Sequence, residues 1–217
     1  IVVDQPPPDL LSINKTDSFD TKESKKILNA KKRELYQIGK TQDGLIDAKP
    51  DDIIIVSDLD EMPNLEKVNF SETKEKLIFF KQKMFYYKLN LFYKIIPWFG
   101  SKACKKKHFK SPQWLREIKN KKYPFWRLDT YFSKNKYVNL KIVDDGGWHF
   151  TNIKTPEEIY KKFSNWGHHA EFELSGIDIK KIKKFIDEKK VFYDHFADKS
   201  DPNKWNGTYN LKKLDSK

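Results

Sequence analysis

Asp51-Asp52-Ile53-Ile54-Ile55-Val56-Ser57-Asp58-Leu59-Asp60-Glu61-Met62-Pro63 reads as one buried strand and the acidic turn that ends it. Four consecutive apolar, β-branched residues, opened by acids and closed by acids and a proline, form the pattern of a strand covered on both faces. Such a strand delivers carboxylates to its C-terminal edge, where open α/β sheets bind ligands. Asp58 and Asp60 are two apart, so a continuing strand would face them one way, whereas a turn starting at Ser57 lets both converge on one hard cation. Three acids within four residues repel one another unless a cation or several donors sit among them. The alternative is a solvated acidic turn, since Asp is a common turn residue.

Outward from this stretch, apolar residues at helical spacing predict an amphipathic helix over 21–42 that packs on the sheet through Ile27, Leu28, Leu35 and Ile38, with Asp43-Gly44 as its stop. A short turn is expected near 65–68 and a buried strand over 77–80. Residues 84–92 read as a further strand, with Phe85, Tyr87, Leu89 and Leu91 on one face. Residues 101–104 read as a strand running into Lys105-Lys106-Lys107, and 114–118 as a short helix or turn. The stretch 123–132 mixes aromatics with Arg127 and Asp129. A strand over 138–143 ends in Asp144-Asp145-Gly146-Gly147, and Trp148-His149-Phe150 resumes extended structure. Thr155-Pro156-Glu157-Glu158 satisfies a capping box with proline at the first helical position, opening a helix to about 166. A last helix covers 178–190. The expectation is an α/β fold with a mixed, mostly parallel sheet flanked by helices. One domain would cover residues 1–197, and a polar tail, 198–217, would wrap the surface.

Length and composition fit that scale: 217 residues form one domain with a full core. No apolar run approaches the ~20 residues that span a bilayer. The start, Ile1-Val2-Val3-Asp4-Gln5-Pro6-Pro7-Pro8, lacks the basic and apolar regions of a signal peptide. This predicts a soluble chain without a transmembrane segment, cytoplasmic or membrane-peripheral. The single cysteine, Cys104, excludes an intrachain disulfide and reads as a small buried apolar residue. The net charge of +12 comes from 43 basic residues, nearly all lysine and scattered along the chain. Lysine is a point charge rather than a bidentate reader, so this surface favours phosphates without implying base readout. Aromatics make up 15% of the chain, enough to grip sugars or bases alike.

The candidate chemistry gathers at strand ends. Besides Asp58, Asp60 and Glu61 stand Asp144 and Asp145, then His149 after two glycines that let the backbone approach a ligand closely. His168-His169-Ala170-Glu171 follows a helix. Two carboxylates and an imidazole, with positions left for water and phosphate oxygens, suit Mn²⁺ or Mg²⁺ rather than structural zinc. The glycine-rich and nucleophile-elbow motifs of P-loop, dinucleotide-binding and serine-esterase proteins are absent from the sequence. Asn14, Asn69 and Asn206 open N-x-[ST] triplets of the frequency an Asn-rich chain gives by chance.

The joint order of Asp47-Ala48-Lys49-Pro50 with the opening stretch, then Gly146-Gly147-Trp148-His149-Phe150, then Thr155-Pro156-Glu157-Glu158-Ile159 and Lys162-Phe163-Ser164, resembles glycosyltransferase family 17. Its best-known member type is the β-1,4-mannosyl-glycoprotein N-acetylglucosaminyltransferase that adds bisecting N-acetylglucosamine. The resemblance, over residues 1–195, implies a GT-A-like fold and inverting transfer of a sugar, N-acetylglucosamine, from a nucleotide-sugar donor (UDP-GlcNAc) to a glycan hydroxyl. It implies a divalent metal on Asp58 and Asp60 with His149, Glu61 and Trp148 beside the donor, and Asp145 or Glu171 as the base. The family domain begins upstream of Ile1, so the expectation is an N-terminally incomplete domain. Gln37-Ile38-Gly39 stands where the family carries a Gln-Arg-Asn-like triplet.

Two other classes share parts of the pattern. A hydrophobic strand followed by Asp-x-Asp also opens haloacid-dehalogenase-type phosphatases, with Asp58 as nucleophile and Asp60 as acid; Met62 stands where that motif wants Thr or Val. A basic, aromatic-rich nucleic-acid-binding module is the third reading, one that predicts strongly salt-dependent binding.

Overall fold

A computed structural model describes residues 1–166, 169–193, 202–205 and 209–214 and shows a mixed α/β protein. Helix α1 (Phe19–Lys40) is followed by β1 (Ile53–Val56), β2 (Glu61–Pro63), β3 (Leu77–Phe80), β4 (Gln82–Tyr86), β5 (Leu91–Trp98) and β6 (Lys102–Lys105). Then come α2 (Pro112–Glu117), α3 (Asp129–Phe132), β7 (Leu140–Val143), β8 (Gly147–Thr151), α4 (Pro156–Ser164), α5 (His169–Leu174) and α6 (Ile179–Asp187). Strands β9 (Lys190–Val191), β10 (Tyr209–Asn210) and β11 (Lys212–Lys213) complete the described elements. The chain divides into two compact units, one of residues 1, 37–85 and 94–151, the other of residues 2–36, 86–93 and 152–217. One domain over 1–197 is the sequence expectation; the interleaved segments leave no composition boundary that would mark two.

The first unit carries a four-stranded sheet in the order β1-β6-β3-β7. Strands β3 and β7 are parallel, with Leu77 opposite Leu140 and Phe80 opposite Val143, while β6 is antiparallel to both β1 and β3. The mostly parallel sheet is corrected accordingly. Strands β1, β3 and β7 share a direction, but β6 lies reversed between the first two and leaves one parallel ladder, β3 with β7, in this sheet. The apolar runs cover both faces. Leu77 and Phe79 pack with Cys104, Leu115, Ile118 and Leu140, whereas Ile78 and Phe80 pack with Val68, Ala103 and Val143. Strand β1 splits in the same way, Val56 joining the first cluster and Ile53 and Ile55 the second. Cys104 is buried as expected, and burial pushes its thiol up to about 12.

A second sheet places β5, β4, β8 and β2 side by side in that order. Every strand of the first sheet connects to one of the second by a short link: β1 to β2 through 57–60, β3 to β4 through Lys81 alone, β5 to β6 through 99–101, and β7 to β8 through 144–146. Two of these links are stitched together, Lys81 N–H donating to Val143 O at 3.0 Å and Gly146 N–H to Lys81 O at 2.9 Å. This seam coincides with the C-terminal ends of β1, β3 and β7. The single strand expected over 84–92 is two: β4 ends at Tyr86, Tyr87 takes a φ of 64°, and the chain returns as β5.

In the second unit, Thr155 caps α4 through a reciprocal box: its hydroxyl accepts the Glu158 N–H at 3.3 Å, and Glu158 accepts the Thr155 N–H at 2.9 Å. Asp178 caps α6, accepting the Lys181 N–H at 2.7 Å. Phe163, Phe172, Phe192 and Trp205 form an aromatic core. The expected polar surface tail is corrected where it is described: Trp205 and Leu211 are buried, β10 pairs with β9, and β11 pairs with Leu91 and Phe92. Helix α1 forms, but Leu28 and Leu35 on its expected core face are exposed, and its buried residue is Asn29. That amide is satisfied by Leu11, accepting its N–H at 2.7 Å and donating to its carbonyl at 2.8 Å, so burial there follows hydrogen bonding rather than hydropathy.

Candidate functional site

The seam holds the acidic turn. Glu61 N–H donates to Asp58 O at 3.0 Å, closing a four-residue turn with the exposed Leu59 at its tip. Turning here gives the two aspartates different partners. Asp58 is gripped by Arg116, whose Nη2 donates to Oδ2 at 3.0 Å while Nη1 bonds Oδ1. Asp60 stands beside His149, with Oδ2 3.6 Å from Nε2.

His149 reaches Asp60 through strand register. Strands β2 and β8 are antiparallel with Glu61 opposite His149 and Pro63 opposite Gly147, and Phe150 N–H donates to Asp60 O at 2.8 Å. The two glycines let the chain pack tightly against neighbouring backbone. Gly147 has a φ of +120° and a Cβ there would lie 2.0 Å from Met62 O; one at Gly146 would lie 2.7 Å from Val143 O. Trp98 lies flat on the imidazole, ring centroids 4.4 Å apart and planes 15° apart, which fixes the ring plane. His149 is buried, and its Nδ1 has no hydrogen-bond partner among the described residues.

Glu61, expected beside a donor, is buried and serves the turn itself. Its Oε1 accepts the Trp98 indole N–H at 2.6 Å, and its Oε2 accepts the Asp58 N–H at 2.9 Å. The Ser57 and Ser101 hydroxyls lie 3.4 Å from the same Oε2 and 2.6 Å from each other. Gly100 makes room for this carboxylate: a Cβ there would lie 1.5 Å from Oε1. Gln82 extends the network, donating to Ser101 Oγ at 3.1 Å and to Trp148 O at 3.3 Å. Trp148 is opposite Met62 in the β2–β8 register, and both are partly exposed.

Lys102 underpins Arg116. Its buried ammonium donates to the carbonyls of Arg116 and Ile118, at 2.8 and 2.6 Å, and lies 4.7 Å from the centre of the Phe79 ring. Burial, reinforced by the Arg116 charge and opposed by Glu61, brings its pKa down to about 8.

The remaining candidates stand outside the acidic turn and its contact with His149. Asp144 and Asp145 occupy the β7–β8 link as ion pairs with Lys81 and Lys83, at 2.9 and 2.5 Å, and the Lys83 ammonium holds the Asp145 carboxyl below its usual range. Asp145 takes a φ of 52°, a conformation Asp tolerates better than most residues. Glu171 belongs to the second unit, ion-paired with the buried Lys204. His169 faces Glu23 at 2.9 Å in the same unit, while His168 and Asn206 lie outside the described residues. The lysine run of 105–107 is tied to the start of β1, Lys105 and Lys107 meeting Asp51 at 3.2 and 2.7 Å.

Among the described residues no three His, Cys, Asp or Glu side chains converge on one point. The expected set of Asp58, Asp60 and His149 is therefore present as a pair, Asp60 with His149, while Asp58 is turned to Arg116. No helix of the described residues is long and apolar enough to cross a membrane. Comparison with protein-family models, with curated proteins and with solved structures finds no match.

Proposed function

We propose that the chain is a metal-dependent inverting glycosyltransferase of GT-A-like fold, related to glycosyltransferase family 17, that moves N-acetylglucosamine from UDP-GlcNAc to a glycan hydroxyl. The observation that supports this reading best is the meeting of Asp60 and His149 at 3.6 Å on the seam, beside an acidic turn that ends a buried strand. Two ligands of one cation, each ~2.0–2.2 Å from it, span such a separation. Asp60 and His149 would hold Mn²⁺ or Mg²⁺, and the ion, when bound, would neutralise the charge of the leaving diphosphate. The Trp98 ring on His149 and the Glu61 network under the turn are what the chain contributes beforehand: ligands fixed in place before the donor arrives.

Asp145, in the same unit as Asp60 and His149, is the proposed base for the acceptor hydroxyl. Its ion pair with Lys83 favours the carboxylate form that a base requires. The phosphatase reading fits less well, because both oxygens of its nucleophile, Asp58, are engaged by Arg116.

The test is a screen of sugar nucleotides with and without Mn²⁺, on the wild type and Asp60→Asn. The reading requires Mn²⁺-dependent binding or hydrolysis of one donor, weakened tenfold or more by the substitution. Donor binding indifferent to both metal and Asp60→Asn rejects it. Salt-dependent nucleic-acid binding that survives Asp58→Ala would instead favour the nucleic-acid module.

A further inference from the structure

Residues 119–136 form a loop closed at its base. Its base is shut by backbone bonds, Lys119 N–H to Asn135 O at 2.8 Å and Tyr123 N–H to Tyr137 O at 3.5 Å. Polar groups of the loop bond to one another at its surface. Arg127 grips Asp129 with Nε and Nη2 at 2.6 and 2.8 Å, Lys136 adds a third contact at 2.8 Å, and the Thr130 hydroxyl donates to Arg127 O at 2.6 Å. Thr130 is the buried residue of α3.

The large apolar side chains of the loop are exposed as well. Phe125, Trp126, Leu128, Tyr131 and Phe132 are exposed, from 67% for Trp126 to 90% for Phe132. Single exposed apolar residues are ordinary, but five within eight positions of one ordered loop form a patch that calls for a partner. Around them the loop carries Lys119, Lys121, Lys122 and Lys134, all exposed. Its one acid, Asp129, is already committed to Arg127 and Lys136, which hold its carboxyl far below the usual range.

We propose that this loop docks on an anionic lipid bilayer, with Trp126 and Phe132 entering the headgroup region and Lys121 and Lys122 meeting lipid phosphates. Aromatic side chains settle at the membrane–water boundary, and clustered lysines are attracted by anionic leaflets. Lysine is depleted at protein–protein interfaces, so the lysine collar favours lipid over a protein partner. The inference does not rest on the glycosyltransferase reading, because it concerns where the chain resides and not what it catalyses.

The full chain is sedimented with vesicles of phosphatidylcholine alone and of equal parts phosphatidylcholine and phosphatidylglycerol. Binding is expected to the anionic vesicles, with tryptophan emission quenched by brominated lipid. Lys121→Glu with Lys122→Glu should weaken it on the order of thirtyfold or more. Trp126→Ser with Phe132→Ser should abolish the quenching while thermal unfolding stays unchanged, since both side chains are exposed. Absence of binding to anionic vesicles, or equal binding by both double variants and the wild type, overturns the proposal. A concentration-dependent dimer or glycan binding that the same aromatic substitutions remove, without vesicle binding, overturns it as well.

Discussion

Arg116 and Asp58 form a two-armed ion pair, joining the last turn of α2 to the acidic turn after β1. The carboxylate that a D-x-D pattern offers to a cation is thus occupied by a guanidinium. Both side chains are partly exposed, so the pair contributes on the order of 0–1 kcal/mol to stability.

Arg116→Gln tests what the pair is for. Urea unfolding should shift by about 1 kcal/mol or less, while calorimetric Mn²⁺ affinity should rise because Asp58 is released to join Asp60 and His149. A loss of several kcal/mol with Mn²⁺ affinity unchanged would mark the pair as structural.

Glu61 gives the opposite expectation. Glu61→Gln turns one accepting oxygen into a donor facing the Trp98 or Asp58 N–H, and should cost about 2–3 kcal/mol with a changed near-ultraviolet tryptophan signal. Gly100→Ala pushes on the same carboxylate and should cost a similar amount. Because the two substitutions damage one network, the double variant should lose less than the sum. Strict additivity would contradict the shared carboxylate.

Lys102 should appear in the pH dependence of stability. Its folded pKa near 8 lies below the ordinary 10.5, so between these values the unfolded chain binds more protons and stability rises with pH. The cost of the buried charge is complete below about pH 8 and relieved towards 10.5. Comparing unfolding of the wild type with Lys102→Met across that range, the difference should move in the wild type's favour as pH rises. Parallel curves would mean that Lys102 titrates normally.

Cys104 should be silent in the native state. A buried thiol whose pKa stands near 12 offers little thiolate at pH 8, so alkylation should be slow until urea unfolds the chain and exposes one thiol. Rapid labelling without urea would show that β6 opens easily.

The parts of the fold legible in the sequence are those written in short-range pattern. Leu77-Ile78-Phe79-Phe80 and Ile53-Ile54-Ile55-Val56 read as buried strands because no polar residue interrupts them. Gly146-Gly147 placed a tight approach ahead of His149, and the capping box at Thr155 fixed the start of α4. The meeting of Asp60 with His149 is legible from strand ends that share an edge, although it is the β2–β8 register that brings it about. The roles of Arg116, Trp98, Ser101 and Lys102 leave no such signal, because each stands in an aromatic and basic stretch that has no period. Their roles follow from β6 lying reversed between β1 and β3. Trp205 and Leu211 were hidden for a related reason: two apolar anchors in a polar tail leave no hydropathy signal.

The single residue between β3 and β4 makes chain length at the seam a chemical variable. Side chains alternate along a strand, so one residue inserted beside Lys81 would exchange the two faces of β4 and carry the Gln82 amide away from Ser101 and Trp148. The loop of 119–136, closed at its base, has no such constraint. Lineages of this protein should therefore vary the seam by substitution at constant length and vary that loop by insertion and deletion, so that alignment gaps trace which parts of the molecule are geometrically locked.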